Sequence, residues 1–568
     1  MTLLPEDAYH QIFSQLPQQT LLSCRFLNKQ VGAIATYHAF KHLHLEAAND
    51  VHNFVNVAKS PVLRHLVREL TIDTWMGPDF SYHANSTFRP PRDFFRAMAY
   101  IRFLPELKTL NVRFNKRCGA DSRDNWTMEE TYDFRYLVLD ILFRTLAGEW
   151  PQAHRPLREE NFVSFSPEDR GTLPPIPTEG IPLLDNEPQE EINIHTLTVS
   201  NLADFDDKRL TGSSAFKKVI SSKTLTSLKL FVTTETNSSS PEVAIAYPEK
   251  YDFCQNLPGT WLSPAVAQNL RVLSLFFHDY WGWNPKFDFR AVNPGESATS
   301  GLPNLRILAL GNYVFSHEWQ VEWIASSVGH QNGRGGLEEL YLDDCPIMWQ
   351  ARTLQPLDES MTTYETQDGD VVEHSNAGYP VKGVMTGGNS LWNPVKFSYR
   401  MRWNHVLRYW KDNMIALKVF KMGHGAWDSD AITLRMTSSF EIPATLWPQT
   451  QDPNQLEKVA RHEYMRRRQR CTDTLHVDYD CRSPPPEHAY KFSYHPDYIF
   501  GVGLAHRREH LLQYVHFDID LGPTPWIDRD DAREKIHEEG LAAYDAARTS
   551  DEESYDRLMS AVRQRNGK

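Results

Sequence analysis

The period of the apolar positions changes along the chain. Near the N-terminus Tyr9, Ile12, Phe13 and Leu16 fall at i, i+3, i+4 and i+7, one apolar stripe on a helix. Pro5 sits before an acidic first turn, Glu6-Asp7, where its missing N–H would be unpaired anyway. Pro17 stops that helix. Thr20 can cap a second one, in which Leu21, Cys24, Leu27, Val31 and Ile34 share a face. A segment of about 40 residues cannot build a stable core alone, so this one is expected to pack on the neighbouring part of the chain and to keep apolar surface for a partner.

After residue 40 strand-like phrases of the form L-x-x-L-x-L take over. They run through Leu43-Leu45, Leu70-Ile72, Leu110-Val112, Leu197-Val199, Leu228-Leu230, Leu273-Leu275, Leu308-Leu310 and Leu340-Leu342, with a weaker one at Leu417-Val419. Alternate side chains of a strand point to opposite faces, so a short strand of this kind cannot bury its leucines by itself. Stacking each beside the last gives a parallel sheet with helices outside it. The phrases are spaced more widely than the roughly 20–29 residues of an ordinary repeat. Helical stripes lie between several of them, at Phe94-Phe95-Met98-Ile101, at Phe134-Leu137-Val138-Ile141 and at Trp403-Val406-Leu407-Trp410-Met414.

Two stretches interrupt the pattern. Residues 151–188 hold eight prolines, and residues 353–393 are rich in Gly, Thr, Asp and Asn. Both read as exposed, partly disordered insertions. Past residue 450 the repeat fades into a basic helix at 455–470, a strand within YVHFDIDL, and a charged, Ala-rich helix pair over 530–565 that reads as a solvated tail. The boundaries are therefore 1–45, 46–450 with insertions near 151–190 and 353–393, and 451–568.

The N-terminal pieces together resemble the F-box, in particular its fungal form. Leu4-Pro5, Ile12-Phe13, Leu16-Pro17, Leu21-Leu22, CRFLNK from Cys24 and IATYHAFKHLHL from Ile34 occur in that order. Taken with the strand phrases and the charged helical end, the resemblance leads to an expected fold of mixed α/β class: a helical F-box, an irregular leucine-rich-repeat-like solenoid of short parallel strands and outer helices, and a helical C-terminal tail. It also implies a Skp-type adaptor and, through it, a cullin as partners, with Leu4, Pro5, Ile12, Phe13, Leu16 and Leu22 as the adaptor contacts. The chain would be a non-catalytic substrate receptor of a Skp–cullin–F-box ubiquitin ligase. An adaptor-bound scaffold that delivers no substrate is the open alternative.

Composition agrees with a folded chain of this kind. It has 568 residues, 41% hydrophobic, with six scattered cysteines and a formal net charge of −13. The charge disfavours general nucleic-acid binding, which is driven by neutralising phosphates. No apolar run reaches the ~18 residues of a membrane span. The cytosol or nucleus is the expected compartment.

Candidate chemistry is sparse. Cys471, His476 and Cys481 have the spacing of the last three ligands of a zinc knuckle, but Arg468 stands where the first cysteine belongs. Gly333-Arg334-Gly335-Gly336 lacks the Lys-Ser/Thr of a phosphate-binding loop and reads as a turn. No cofactor or metal is expected, and no spacing calls for catalysis. The run Arg466 to Arg470 reads as a solvated helix face or a signal. Aromatic clusters at 276–289 and 392–410 read either as core or as partner surface. A substrate is expected on residues between and just after the leucines, which names Asn111, Arg113, Ser274, Phe276, Tyr341 and Asp343.

Overall fold

The computed structural model describes residues 5–567 apart from 17, 48–50, 75–91, 115–117, 120–129, 150–189, 234–247, 296–299, 344, 354–356, 366–368, 382–394, 424–511, 513, 519–521 and 526–537. The chain forms two compact units, one of residues 1–201 and 208–225, the other of 202–207 and 226–568.

The first unit opens with three helices, α1 (Glu6–Phe13), α2 (Gln18–Cys24) and α3 (Lys29–Phe40). Their shared core is Phe13, Leu21, Val31, Ile34, Ala35 and Ala39. The single helix expected from Thr20 through Ile34 is two. Asn28 takes an extended conformation and its side chain accepts a 2.9 Å hydrogen bond from the Val31 N–H, so α3 starts there. A Cβ at Gly32 would lie 2.6 Å from the Arg25 carbonyl oxygen, so only glycine permits α3 to pass this close. His10 Nδ1 meets His38 Nε2 at 3.0 Å and ties α1 to α3.

Four parallel strands come next: β1 (His42–Glu46), β2 (Glu69–Asp73), β3 (Thr109–Arg113) and β4 (Thr196–Ala203). They pair in step, Leu43 with Leu70, Leu110 and Leu197 in one row, Leu45 with Ile72, Val112 and Val199 in the next. Both rows are buried. Helices α4 (His52–Lys59), α5 (Arg92–Met98), α6 (Tyr132–Leu146) and α7 (Ser214–Ile220) lie in the connections. The stripes Phe94-Phe95-Met98 and Phe134-Leu137-Val138-Ile141 are buried as their spacing requires.

The second unit repeats the scheme with β5 (Ser227–Thr233), β6 (Val272–Trp281), β7 (Ile307–Tyr313), β8 (Glu339–Asp343) and, after a long excursion, β13 (Val419–Gly423). All pair parallel. Leu228, Leu273, Leu308, Leu340 and Phe420 share a row, and Leu230, Leu275, Leu310, Leu342 and Met422 the next. Every one of these side chains is buried. Gly333, Gly335 and Gly336 have positive φ and form the expected turn before β8.

Asparagine recurs just beyond the leucines. Asn201 has φ +58° and donates Nδ2 to the Phe114 carbonyl at 2.7 Å; Asn312 has φ +57° and donates to the Phe277 carbonyl at 2.8 Å. Each takes a left-handed conformation near the end of its strand and satisfies a carbonyl beside the preceding strand.

The excursion after β8 holds β9 (Ile347–Thr353), β10 (Met361–Glu365), β11 (Val371–Ser375), β12 (Val395–Ser398) and α10 (Trp403–Asn413). Here the expectation of an exposed, partly disordered insertion over 353–393 is corrected for residues 357–365 and 369–381: β10 and β11 form a hairpin, and Asn376 and Tyr379 are buried. β9 also joins a smaller sheet with β12, β14 (Tyr514–Asp518) and β15 (Gly522–Pro525), in the order β12, β9, β14, β15. Trp283, Val314, Met348, Tyr379, Tyr399, Val515 and Phe517 form a core beneath it.

The solvated tail is also corrected. One helix, α11 (Glu538–Arg565), packs on α10 through buried Asp551, Ser554, Leu558 and Val562. Asp551 Oδ1 accepts from the Asn404 N–H at 2.7 Å and Oδ2 from the Tyr514 hydroxyl at 2.5 Å. The Pro-rich stretch, the basic helix at 455–470 and the Cys471–Cys481 spacing lie outside the described residues.

Candidate partner-binding surfaces

The six expected adaptor residues separate by burial. Leu4 lies outside the described residues. Pro5 precedes α1 and is exposed, while Ile12 leaves 46% of its surface in water. Phe13 is core, its ring 6.0 Å from that of Tyr9. Leu16 and Leu22 are half-buried against that core. Pro5 and Ile12 are therefore free to touch a partner, whereas Phe13 holds the helices together.

Two further large apolar side chains of the same segment face water. Phe26 and Leu27 come after α2 and are 88% and 68% exposed. Their place is set by the cap at Asn28: the helical stripe expected to bury Leu27 is broken there, and the two residues before the cap turn outward. Asn three positions before Val31 was the available signal in the sequence. An exposed apolar side chain gains roughly 1.5–3 kcal/mol when a partner buries it.

The expected substrate strip has the right parity but is not open. Asn111 lies in register with Thr71 and Thr198, and Ser274 with Ala309 and Tyr341, all in rows that alternate with the leucines. Phe276 shares a row with Gly311 and Asp343; the Asp343 side chain is outside the described residues. Asn111, Arg113, Ser274, Phe276 and Tyr341 are all buried. Asn111 donates to Glu69 Oε1 at 2.9 Å, and Arg113 lies 3.6 Å from the Asp73 carboxylate. Tyr341 donates to Glu339 Oε2 at 2.6 Å. Phe276, 1% exposed, lies over the face of Gly311 with its ring 5.0 Å from that of Phe231.

The aromatic clusters are core for the most part. Trp281 stacks on Phe277 with centroids 4.2 Å apart and donates Nε1 to the Gly311 carbonyl at 2.7 Å. Trp283 donates to the Gly378 carbonyl and to the Tyr399 hydroxyl. Trp403 and Trp410 are fully buried, while Phe397 and Tyr409 keep exposed faces. Among the described residues no group of three or more His, Cys, Asp or Glu is placed to hold a metal ion. No helix among them is long and apolar enough to cross a membrane.

The comparisons bear on the first of these surfaces. A profile of the F-box domain family matches residues 1–43. The N-terminal three helices and the start of β1 are thus an F-box domain. F-box domains bind Skp-type adaptors, which link to cullins, and proteins carrying them are generally substrate receptors of ubiquitin ligases and not catalytic subunits. No curated protein matches the chain.

Proposed function

We propose that this chain is the substrate receptor subunit of a Skp–cullin–F-box ubiquitin ligase, acting in the cytosol or nucleus. The observation that carries the reading is the outward set Ile12, Phe26 and Leu27 on a segment matched by the F-box family. Large apolar side chains left in water beside a complete small core are what an obligate partner surface requires. The parallel strands with their leucine rows are read as an irregular leucine-rich-repeat-like substrate domain, and α11 as its C-terminal helix. The receptor performs no bond chemistry in this reading. It holds a protein substrate near the ubiquitin-transferring enzyme, which raises the effective concentration of the acceptor amine.

The test is co-purification. The full chain expressed with a Skp-type adaptor should carry a cullin with it. A chain that binds the adaptor but no cullin is instead a scaffold, and the ligase reading fails.

A further inference from the structure

Between β9 and β12 the chain makes a two-stranded ribbon that joins neither larger sheet. β10 and β11 pair antiparallel, from Met361 opposite Ser375 to Glu365 opposite Val371. Among the described residues no third strand pairs with either. The base of this ribbon is fixed. The Asn376 N–H donates to the Ser360 carbonyl at 2.9 Å, and the Asp358 N–H to the Tyr379 carbonyl at 2.8 Å. The buried Asn376 side chain accepts from the Lys286 ammonium and from Thr362 Oγ1 and donates to Ser360 Oγ. Tyr379 is wholly buried under the His317 ring, the two stacked with centroids 4.3 Å apart.

The outer part is open. Because Ser360 and Asn376 form a hydrogen-bonded pair, the antiparallel ladder bonds 362 to 374 and 364 to 372. The intervening residues turn their N–H and C=O groups away from the ribbon: Met361, Thr363 and Glu365 on one edge, Val371, Glu373 and Ser375 on the other. The same six side chains share one face and all are exposed. Met361 is 53% and Val371 65% exposed. Natural sheets usually cover or charge such an edge. This one is charged with a single sign. From Asp358 to Val381 the sequence carries six carboxylates and no Lys or Arg.

We propose that the β11 edge of this ribbon is the docking strand for an extended, Lys/Arg-rich segment of a partner protein, which adds to it as a further strand. The proposal rests on the receptor reading and names the kind of segment a substrate presents. Main-chain bonds to Val371, Glu373 and Ser375 supply affinity, and alternate side chains supply choice. The apolar side chains of such a segment cover Val371 and Met361, and its cations lie beside Glu373 and Glu365. The fixed base lowers the ordering cost of binding, and the negative face rejects acidic segments.

The experiment uses the full chain and a labelled peptide of about ten residues with the repeat Val-Thr-Lys-Thr, which sets valine and lysine on one face of a strand, and a Val-Thr-Glu-Thr repeat as control, read by fluorescence anisotropy. The valine–lysine peptide should bind and the control should not. Glu365→Lys with Glu373→Lys should weaken binding by about 10-fold or more, and added salt should do the same. Glu373→Pro removes an outward N–H without taking a bond from the ribbon, and it should also abolish binding. Equal binding of both peptides, indifference to all three substitutions, or self-association through the ribbon in place of peptide binding overturns the docking edge. Adaptor capture by the same variants keeps the two readings apart. A wild-type chain that captures the adaptor but does not bind the valine–lysine peptide condemns the docking edge alone, whereas a wild-type chain that binds the peptide and captures no adaptor condemns the receptor reading alone.

Discussion

Asn312 donates its side-chain amide to the Phe277 carbonyl at 2.8 Å while its own backbone sits at φ +57°. One residue thus supplies a left-handed backbone conformation and a hydrogen bond to the neighbouring strand. The two roles can be separated. Asn312→Gly keeps the backbone and loses the bond, so it should cost about 1 kcal/mol. Asn312→Leu loses both and should cost about 2–3 kcal/mol. Denaturant unfolding of the two variants checks the order; equal costs would show that the φ angle carries no strain.

Phe276 should behave as core. Phe276→Ala opens a cavity between Phe231 and Gly311 and should destabilise the second unit by about 3–5 kcal/mol. Gly311→Val places methyl groups where the Phe276 ring lies and should be comparably damaging. Thermal melting of both variants is the measurement. A Phe276→Ala variant that melts like the parent but loses substrate would restore this position to a binding surface.

The docking of α11 should depend on pH. Burial raises the Asp551 carboxyl to about 6, with hydrogen bonds from Tyr514 and the Asn404 N–H opposing the shift. In the unfolded chain the carboxyl titrates near 3.9, so the folded state binds the proton more tightly. This group's contribution is therefore largest below pH ~4 and is lost as pH rises through about 6, by an amount on the order of 2–3 kcal/mol. Asp551→Asn removes the titration. The stability difference between parent and variant should change with pH across that window and then level off. Parallel curves would contradict the assignment.

Much of the fold was legible because two periods carry it. The leucines of each phrase must face one way on a strand, and the observed rows contain Leu308, Leu310, Leu340 and Leu342 as that rule demands. What stayed illegible depended on contacts made elsewhere in the chain. Parity places Phe276 opposite the leucines, but no local pattern says that Phe231 and Gly311 close over it. The stripe Asp551-Ser554-Leu558-Val562 is half polar and becomes an apolar seam only because Asn404 and Tyr514 satisfy the aspartate. The hairpin at 361–375 hid within a composition rich in turn residues. In the F-box the sequence supplied Ile12, and the cap at Asn28 added Phe26 and Leu27.

The central claim is that the outward apolar residues of the first 43 bind a Skp-type adaptor. The most direct measurement is calorimetric titration of the purified full chain with such an adaptor, repeated for Ile12→Asp, for Phe26→Asp with Leu27→Asp, and for Val62→Asp, an exposed apolar residue outside the domain. The parent and Val62→Asp should bind one adaptor with equal affinity. The other two variants should lose about 100-fold or more in affinity while melting like the parent, because each leaves a carboxylate without a partner in a buried contact. Undiminished binding by Ile12→Asp and by Phe26→Asp with Leu27→Asp would contradict the account.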